Sequence, residues 1–473
     1  MLAVLAATMA ILEPSAPPKP MREFRAAWIA TVDNIDWPSK PGLSVSEMKR
    51  ELLAIFDTCQ KLNMNAVVLQ VRPSADALYK SPHEPWSWYL TGEQGKAPAG
   101  GFDPLEFACY QAHLRGMELH AWLNPYRALH PAQKGPVSGD HVSRELPKAV
   151  HKYGTYLWMD PGDPEVQKHS FQVFMDLVDR YNLDGIHIDD YFYPYPVAGQ
   201  DFPDSASYAA YRSTGGSLSL KDWRRHNVNT MIEDVYKGIK RRKPFVKFGI
   251  SPFGIYRPGV PSGIKAGIDQ YDELYADCKL WLDEGWCDYM SPQLYWPIKQ
   301  EAQSFPKLLD WWTSNNPHDR HIWPGLYTSQ LNPNGSAKWK PAEVVNQIGL
   351  IRKSSSTSGA VHFSVKALHR DWAGIKASLG KSYAQKALVP ESPWLGKAKP
   401  ERPSVSTYAG RKIKVKPIPG AQFVAIYDAK GSLIKVAPNN AAVMQFSSTV
   451  KQIQVQGVSR TGVLGPLATV VLV

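Results

Sequence analysis

The sequence predicts a (β/α)8 TIM barrel followed by a small C-terminal all-β domain of the immunoglobulin or fibronectin III kind. Three observations carry that expectation. From about residue 24 onwards, short apolar β-rich runs alternate with amphipathic helical patterns eight times over. No Gly-x-Gly-x-x-Gly turn follows the first strand, which counts against the dinucleotide-binding form of an open doubly wound sheet. Near residue 385 the composition shifts, and the runs beyond it are short, alternating and separated by Gly, Pro and Asn.

The elements follow in order. Met1 to Leu12 is almost wholly apolar and is followed by Pro14, Pro17, Pro18 and Pro20. Its length suits a signal-peptide core and is too short to span a bilayer. Residues 1–21 are therefore read as a signal-like, proline-rich leader, and the protein as exported to the periplasm or cell envelope. No cysteine follows that could carry a lipid, and no later run is long enough for a transmembrane span.

Residues 22–385 are assigned to the barrel. Candidate strands cover 25–32, 66–71, 118–123, 185–189, 247–251, 289–293, 321–326 and 360–364. Ser44-x-x-Glu47 is a capping-box signature, and it opens a helix with Leu52, Ile55, Phe56 and Cys59 at helical spacing. Asp163-Pro164 reads as an N-cap followed by proline at the first helical position. Tyr271, Leu274, Tyr275, Cys278 and Leu282 form a further stripe, as do Val344, Ile348 and Ile351. Residues 386–403, with Pro390, Pro393, Pro400 and Pro403, look like a linker. Residues 404–473 hold the β-sandwich, with strands expected at 412–415, 422–427, 432–436, 451–458 and 468–472.

Composition narrows the function. A chain of 473 residues exceeds one compact core, and 16 Trp and 22 Tyr suit a surface that stacks on sugar rings. The net charge of +11 favours an acidic partner such as an envelope polymer. Nucleic acid is excluded as a partner, because basic residues are scattered and no nucleic-acid-binding motif is present. Cys59, Cys109, Cys278 and Cys287 lack metal-ligand spacing, so neither metal nor cofactor is expected.

Chemistry concentrates at 184–196, Asp-Gly-Ile-His-Ile-Asp-Asp-Tyr-Phe-Tyr-Pro-Tyr-Pro, where an apolar strand runs into two carboxylates and a fan of rings. Side chains alternate along a strand, so His187 and Asp189 should share a face. In a parallel barrel the C-terminal strand ends build the active site. Gathering those ends gives catalytic candidates Asp189, Asp190 and His187. It gives substrate-binding candidates Asp33, Trp37, Gln70, Arg72, Asn124, Tyr126, Arg127, Tyr191, Gln293, Tyr295, Trp296 and Tyr327. Each also has a structural reading: an Asp caps a turn, a buried His is hydrogen-bonded, and an Arg holds a carboxylate in place. Acids beside flat rings are what cleavage of a glycosidic bond requires.

Six segments strengthen this: Phe24-Arg-Ala-Ala-Trp-Ile-Ala-Thr-Val-Asp-Asn-Ile-Asp-Trp-Pro38, Gln70-Val-Arg-Pro73, Trp122-Leu-Asn-Pro-Tyr-Arg127, Asp160-Pro-Gly-Asp-Pro-Glu165, Asp184-Gly-Ile-His-Ile-Asp-Asp-Tyr191 and Ser291-Pro-Gln-Leu-Tyr-Trp296. Together they resemble the glycosyl hydrolase-like 10 family of bacterial envelope proteins, over roughly residues 22–370. The resemblance implies a TIM-barrel glycosidase acting on a bacterial surface glycan, with peptidoglycan strands the leading candidate. Asp184-Gly-Ile-His-Ile-Asp189 is also similar to the strand-four motif of the alpha-amylase superfamily, which implies that Asp189 is the nucleophile. That superfamily's glutamate after strand five has no counterpart in Gly249-Ile-Ser-Pro-Phe-Gly254. Nor do the two glutamates of family-10 xylanases, after strands four and seven. Asp190, Asp33, Asp36, Asp76, Asp269 and Glu273 stay open as the second acid, and adjacent Asp189 and Asp190 are expected to point apart. The expected activity is hydrolysis of an envelope glycan, with a non-catalytic carbohydrate-binding barrel as the alternative and a structural envelope protein as the third reading.

Overall fold

The computed structural model describes residue 19 and residues 21–472 apart from 338 and 441. The leader expected over residues 1–21 lies outside the described residues but for 19 and 21. The chain forms two units, one of Arg22–Ala398 with Arg460–Val463, the other of Lys399–Ser459 with Leu464–Val473.

The larger unit is a parallel barrel. Its strands are β1 Phe24–Ile29, β2 Ala66–Arg72, β3 Glu118–Leu123, β4 Gly185–Ile188, β5 Lys247–Ile250, β6 Tyr289–Met290, β7 in two pieces at His321–Ile322 and Gly325–Leu326, and β8 Gly359–His362. Strands β1 to β6 each pair with the next, β3 with β4 included although an excursion of the chain lies between them, and β1 also pairs with β8. The first piece of β7 pairs with β6 and the second with β8. Both pieces belong to one stretch of chain, so the ring closes through it. Pro324, which lacks an N–H, separates the pieces. Strands buried on both faces read as near-continuous apolar runs, and every residue of β1, β2 and β3 is buried.

One principal helix follows each strand: α1 Val45–Lys61, α2 Pro104–Leu114, α3 Pro164–Arg180, α4 Leu220–Arg242, α5 Cys278–Asp283, α6 Phe305–Ser314, α7 Pro341–Lys353 and α8 Ile375–Ser382. Their starts are fixed locally. Ser44 and Glu47 form the reciprocal capping box of α1. Asp103 and Asp163 cap α2 and α3 ahead of Pro104 and Pro164. Between β3 and α3 the chain adds a three-stranded antiparallel sheet of Arg127–Leu129, Val150–Tyr153 and Tyr156–Met159.

Two expectations are corrected here. The stripe from Tyr271 to Leu282 is helical only from Cys278, because Tyr275 adopts φ 56° and the Asp277 side chain caps the helix by accepting from Leu280 N–H. Residues 386–398, the greater part of the expected linker, pack with the barrel. There the Trp394 indole N–H donates to Asp288 at 2.9 Å, and Ser392 meets His321 at 3.0 Å.

The smaller unit holds seven strands in two antiparallel sheets: β9 Val405–Tyr408, β10 Lys412–Val415, β11 Phe423–Asp428, β12 Leu433–Pro438, β13 Val443–Gln445, β14 Gln452–Val458 and β15 Leu464–Val471. The sheet orders are β9-β10-β13 and β12-β11-β14-β15. Ile413, Val424, Ile426, Ile453 and Val455 fill its core. Among the described residues, no helix is long and apolar enough to cross a membrane.

Candidate active site

The barrel interior decides what stands at its mouth. A directed hydrogen-bond chain crosses that interior. Trp28 Nε1 lies 3.1 Å from His187 Nε2, and an indole N–H only donates. His187 Nε2 therefore accepts, from Trp28 and from the Ser251 hydroxyl at 2.9 Å. Its Nδ1–H then donates to Tyr289 Oη at 3.0 Å, and the Tyr289 hydroxyl donates to His120 Nδ1 at 2.8 Å. His120 Nε2–H ends the chain on Glu118 at 3.0 Å, where the Lys247 ammonium sits at 2.9 Å. The donor-only indole and the acceptor-only carboxylate fix the tautomer of both imidazoles. Burial and the neighbouring His120 hold the His187 pKa well below its usual value, so it stays neutral.

Above this chain, at the C-terminal ends of the strands, lies a cavity of about 310 Å3. Trp28, Trp122 and Ser251 lie among its walls, with Ala30, Gln70, Asp189 and Gln293 from the ends of β1, β2, β4 and β6. Asp33, Arg127, His130, Asp190, Tyr191, Tyr195, Tyr295 and Phe363 complete the lining together with Val32 and Ile35. A mouth of this kind, apolar rings with a few convergent polar groups, is what a small-ligand site requires.

The two acids stand side by side within it. Asp189 is 3% exposed and Asp190 6%, yet both line the cavity. Asp189 accepts from Trp122 Nε1 at 3.0 Å and from Asn124 Nδ2 at 3.1 Å, one donor on each oxygen. Asp190 accepts from Gln293 Nε2 at 3.0 Å and from the Tyr195 hydroxyl. The side chains turn to different partners, Asp189 to the β3 end and Asp190 to Gln293 and Tyr195, yet both line the one cavity. Strand β4 ends at Ile188, so strict alternation no longer applies to 189 and 190.

Their electrostatics follow from that proximity. Burial, then the charge of Asp190, push Asp189 up to about 7 against the pull of Arg127, Trp122 and Asn124. Burial also raises Asp190, opposed by the hydrogen bonds from Tyr195 and Gln293. Burial raises both neighbouring carboxyls, and the charge of Asp190 adds to the rise of Asp189, so the two titrate as a linked pair. Beside them, burial and the charge of Arg127 bring His130 down to about 4, so it is neutral there.

Of the residues singled out in the sequence, the structure gathers Asp33, Gln70, Arg127, Asp189, Asp190, Tyr191, Gln293 and Tyr295 around one cavity. The others stand behind its wall. His187 is wholly buried in the interior chain and orients Trp28 and Ser251 instead of meeting a ligand. Trp37 is buried with its N–H on Met48 O at 3.0 Å. Arg72 is buried against Glu84. Asn124 uses Oδ1 to accept from Tyr126 and Arg127 N–H and Nδ2 to hold Asp189. Tyr126 is buried, within 3.5 Å of Gln167. Trp296 packs edge-on against Phe253 with centroids 5.7 Å apart, and Tyr327 stacks behind Tyr295 at 4.6 Å. Of the open second acids, Asp36 is held by Ala30 N–H, Ser364 and Lys366 N–H, and Asp76 by Gln94. Asp269 pairs with Arg257, and Glu273 accepts from Asp269 N–H. The side chains that sequence reasoning missed include Trp28, Trp122, His130, Tyr195 and Phe363, while Ser251 lies at the end of the fifth strand as expected. Counting back by twos from the strand ends finds the first two.

A family model described as Glycosyl hydrolase-like 10 matches residues 23–341. The chain is 44% identical to glycosyl hydrolase YngK of Bacillus subtilis (strain 168) over 429 residues, 87% of this chain and 83% of that protein. It is 32% identical to glycosyl hydrolase DigH of Escherichia coli (strain K12) over 384 residues, 76% of this chain and 86% of that one. Two solved structures share the barrel fold. They are the glycoside hydrolase domain of PgaB (BpsB) from Bordetella bronchiseptica, with TM-score 0.50, 12% identity and coverage of 78% of this chain and 100% of that one, and the catalytic domain of beta-amylase from Paenibacillus polymyxa, with TM-score 0.51, 11% identity and coverage of 77% and 98%.

Proposed function

The chain belongs to the glycosyl hydrolase-like 10 family and is a glycoside hydrolase, and on that premise we propose that it cleaves a bacterial cell-envelope glycan, peptidoglycan strands foremost, with Asp189 as the principal catalytic carboxylate. The observation that carries this reading is the Asp189–Asp190 pair inside a cavity walled by Trp28, Trp122, Tyr191 and Tyr295. Rings stack on the apolar faces of pyranoses, and a carboxyl pushed to about 7 both gives and takes a proton at neutral pH. Asp189 is thus the general acid and base, and Asp190 its charged helper. Likeness to the alpha-amylase superfamily implies the nucleophile role for Asp189 instead; its rise to about 7 favours the proton-carrying role. We take the protein to be exported to the envelope, where its net charge of +11 would favour an anionic wall polymer. The strand order β9-β10-β13 against β12-β11-β14-β15 supports reading the smaller unit as a fibronectin III-like sandwich.

The test is direct. Purified protein is incubated with peptide-free and with peptide-bearing peptidoglycan, and new reducing ends are counted. New ends on either glycan are expected. Their absence from both, with the glycan merely retained, overturns the proposed substrate.

The proton-carrying role makes its own prediction. Trp122→Phe removes the donor to Asp189 Oδ2, which disfavours the ionised form and raises the Asp189 pKa. Activity that needs the protonated acid falls as pH rises through that pKa, so the alkaline limb of the pH–rate profile should move to higher pH in Trp122→Phe. A limb that stays in place removes Asp189 as the acid.

A further inference from the structure

We propose that the nucleophile is supplied by the substrate itself, as the carbonyl oxygen of a 2-acetamido group on the sugar bound in the cavity, with the Asp189–Asp190 pair serving it from below. This deepens the reading above and rests on it. A two-carboxylate glycosidase places its acids on opposite faces of the anomeric centre. Here both acids rise from one wall, on consecutive residues beyond β4. Asp189 leans towards Trp122 and Asn124 of the β3 end, and Asp190 towards Gln293 and Tyr195. Among the described residues, Asp33 is the other carboxylate lining the cavity, and it is exposed. The remaining wall is Trp28, Gln70, Tyr295 and Phe363, aromatic or neutral. Among the described residues that line the cavity, no buried carboxylate stands across from Asp189 and Asp190.

Gln70 points independently to a ligand carbonyl or hydroxyl. It is wholly buried, and its Oε1 accepts from the N–H of Thr31 and of Val32 at 3.0 and 2.9 Å. Its Nε2 has no partner, although Gln70 lines the cavity. A buried donor without an acceptor is costly, and a bound sugar's oxygen would satisfy it. The rings of Trp28 and Trp122 offer the acetyl methyl group an apolar floor.

The chemistry balances without any further reagent. The acetamido oxygen forms a bond to C1 as the C1–O bond to the leaving sugar breaks. The departing oxygen keeps that electron pair and takes the proton of Asp189. The resulting bicyclic oxazolinium carries its charge next to ionised Asp190, which accepts its N–H. Water then attacks C1 while Asp189 removes its proton, the C1–O bond to the acetamide breaks, and the acetamide is restored. The net change is addition of one water across the glycosidic bond, with the anomeric configuration retained.

The experiment uses the full chain and peptide-free glycan in three forms: native, chemically N-deacetylated, and re-acylated with fluoro-, difluoro- or trifluoroacetyl groups. Each fluorine weakens the carbonyl as a nucleophile. Cleavage is expected to fall stepwise along the fluorinated series, by about 100-fold or more at its end, as suits loss of a positioned nucleophile. It should also be lost on deacetylation, and a sugar-fused thiazoline that imitates the oxazolinium should inhibit competitively. Equal cleavage across the series overturns the inference and leaves the glycosidase reading standing. So does a covalent glycosyl ester on Asp33, Asp189 or Asp190 detected by mass spectrometry. Failure to cleave even the native glycan removes the proposed substrate, and the inference with it.

Discussion

Asp189→Asn is expected to lower glycan cleavage by about 10²–10⁴-fold, the usual contribution of one positioned proton carrier, while the barrel stays folded. The amide cannot exchange a proton near pH 7, where Asp189 does. Its NH2 would also face a donor, because Trp122 Nε1 and Asn124 Nδ2 hold the two carboxylate oxygens. That mismatch costs about 1–3 kcal/mol, a loss that a thermal melt separates from loss of chemistry. Initial rates of reducing-end formation, compared at equal folded fraction, give the catalytic effect. The surviving activity of Asp189→Asn should then lose the alkaline limb that the wild-type protein owes to Asp189. A variant that cleaves at the wild-type rate would exclude Asp189 from the mechanism.

The barrel is legible in the sequence because its signals are local. Alternating runs, Ser44-x-x-Glu47 and Asp163-Pro164 each act within a few residues. The division of β7 at Pro324 and the brevity of β6 before Pro292 are local as well, yet prolines inside apolar runs pass unnoticed when strand ends are sought by composition. What fails is parity. Gln70 and Arg72 are two residues apart and should share a face, but the register of β2 on β3 shifts between them. Arg72 comes to lie opposite Leu123, whose side chain belongs to the outer core, while Gln70 lies opposite cavity-lining Trp122. One bulge moves an arginine from the mouth to the layer behind it. Asn124 defeats the sequence differently: its side chain closes the turn after β3 as well as holding Asp189, and neither task brings it to the cavity. The stripe from Tyr271 to Leu282 shows that helical spacing can arise without a helix where a capping Asp277 starts the helix late.

That displaced arginine carries the largest stability effect. Arg72 donates to Glu84 Oε2 through Nε at 2.8 Å, and Glu84 also meets His169 at 3.0 Å, all three well removed from solvent. Arg72→Met keeps most of the volume and removes the charge. Breaking one side of a buried pair costs about 3–5 kcal/mol, because the partner is left desolvated and uncompensated. Urea unfolding at pH 7 should record that loss. The pH dependence identifies its source. Burial alone would raise Glu84, but the Arg72 charge and the hydrogen bonds from His169 and Arg72 bring it to about 2, below its ordinary 4.5. A depressed carboxyl contributes stability that is present above the unfolded pKa and lost as pH falls through the folded one. The wild-type advantage over Arg72→Met should therefore shrink as pH falls from 7, first as the stranded Glu84 of the variant takes up a proton and then, below 4.5, as the wild-type contribution is lost, and be nearly gone at about 2. Replacing both partners, Arg72→Met with Glu84→Leu, should recover much of the loss, since no charge is left stranded. The site feels the change as well: Arg72 donates to the Asn124 carbonyl, and Asn124 holds Asp189. Arg72→Met should thus shift the Asp189 limb of the pH–rate profile even in its folded fraction. A variant with wild-type stability and weakened glycan binding would instead return Arg72 to the cavity wall.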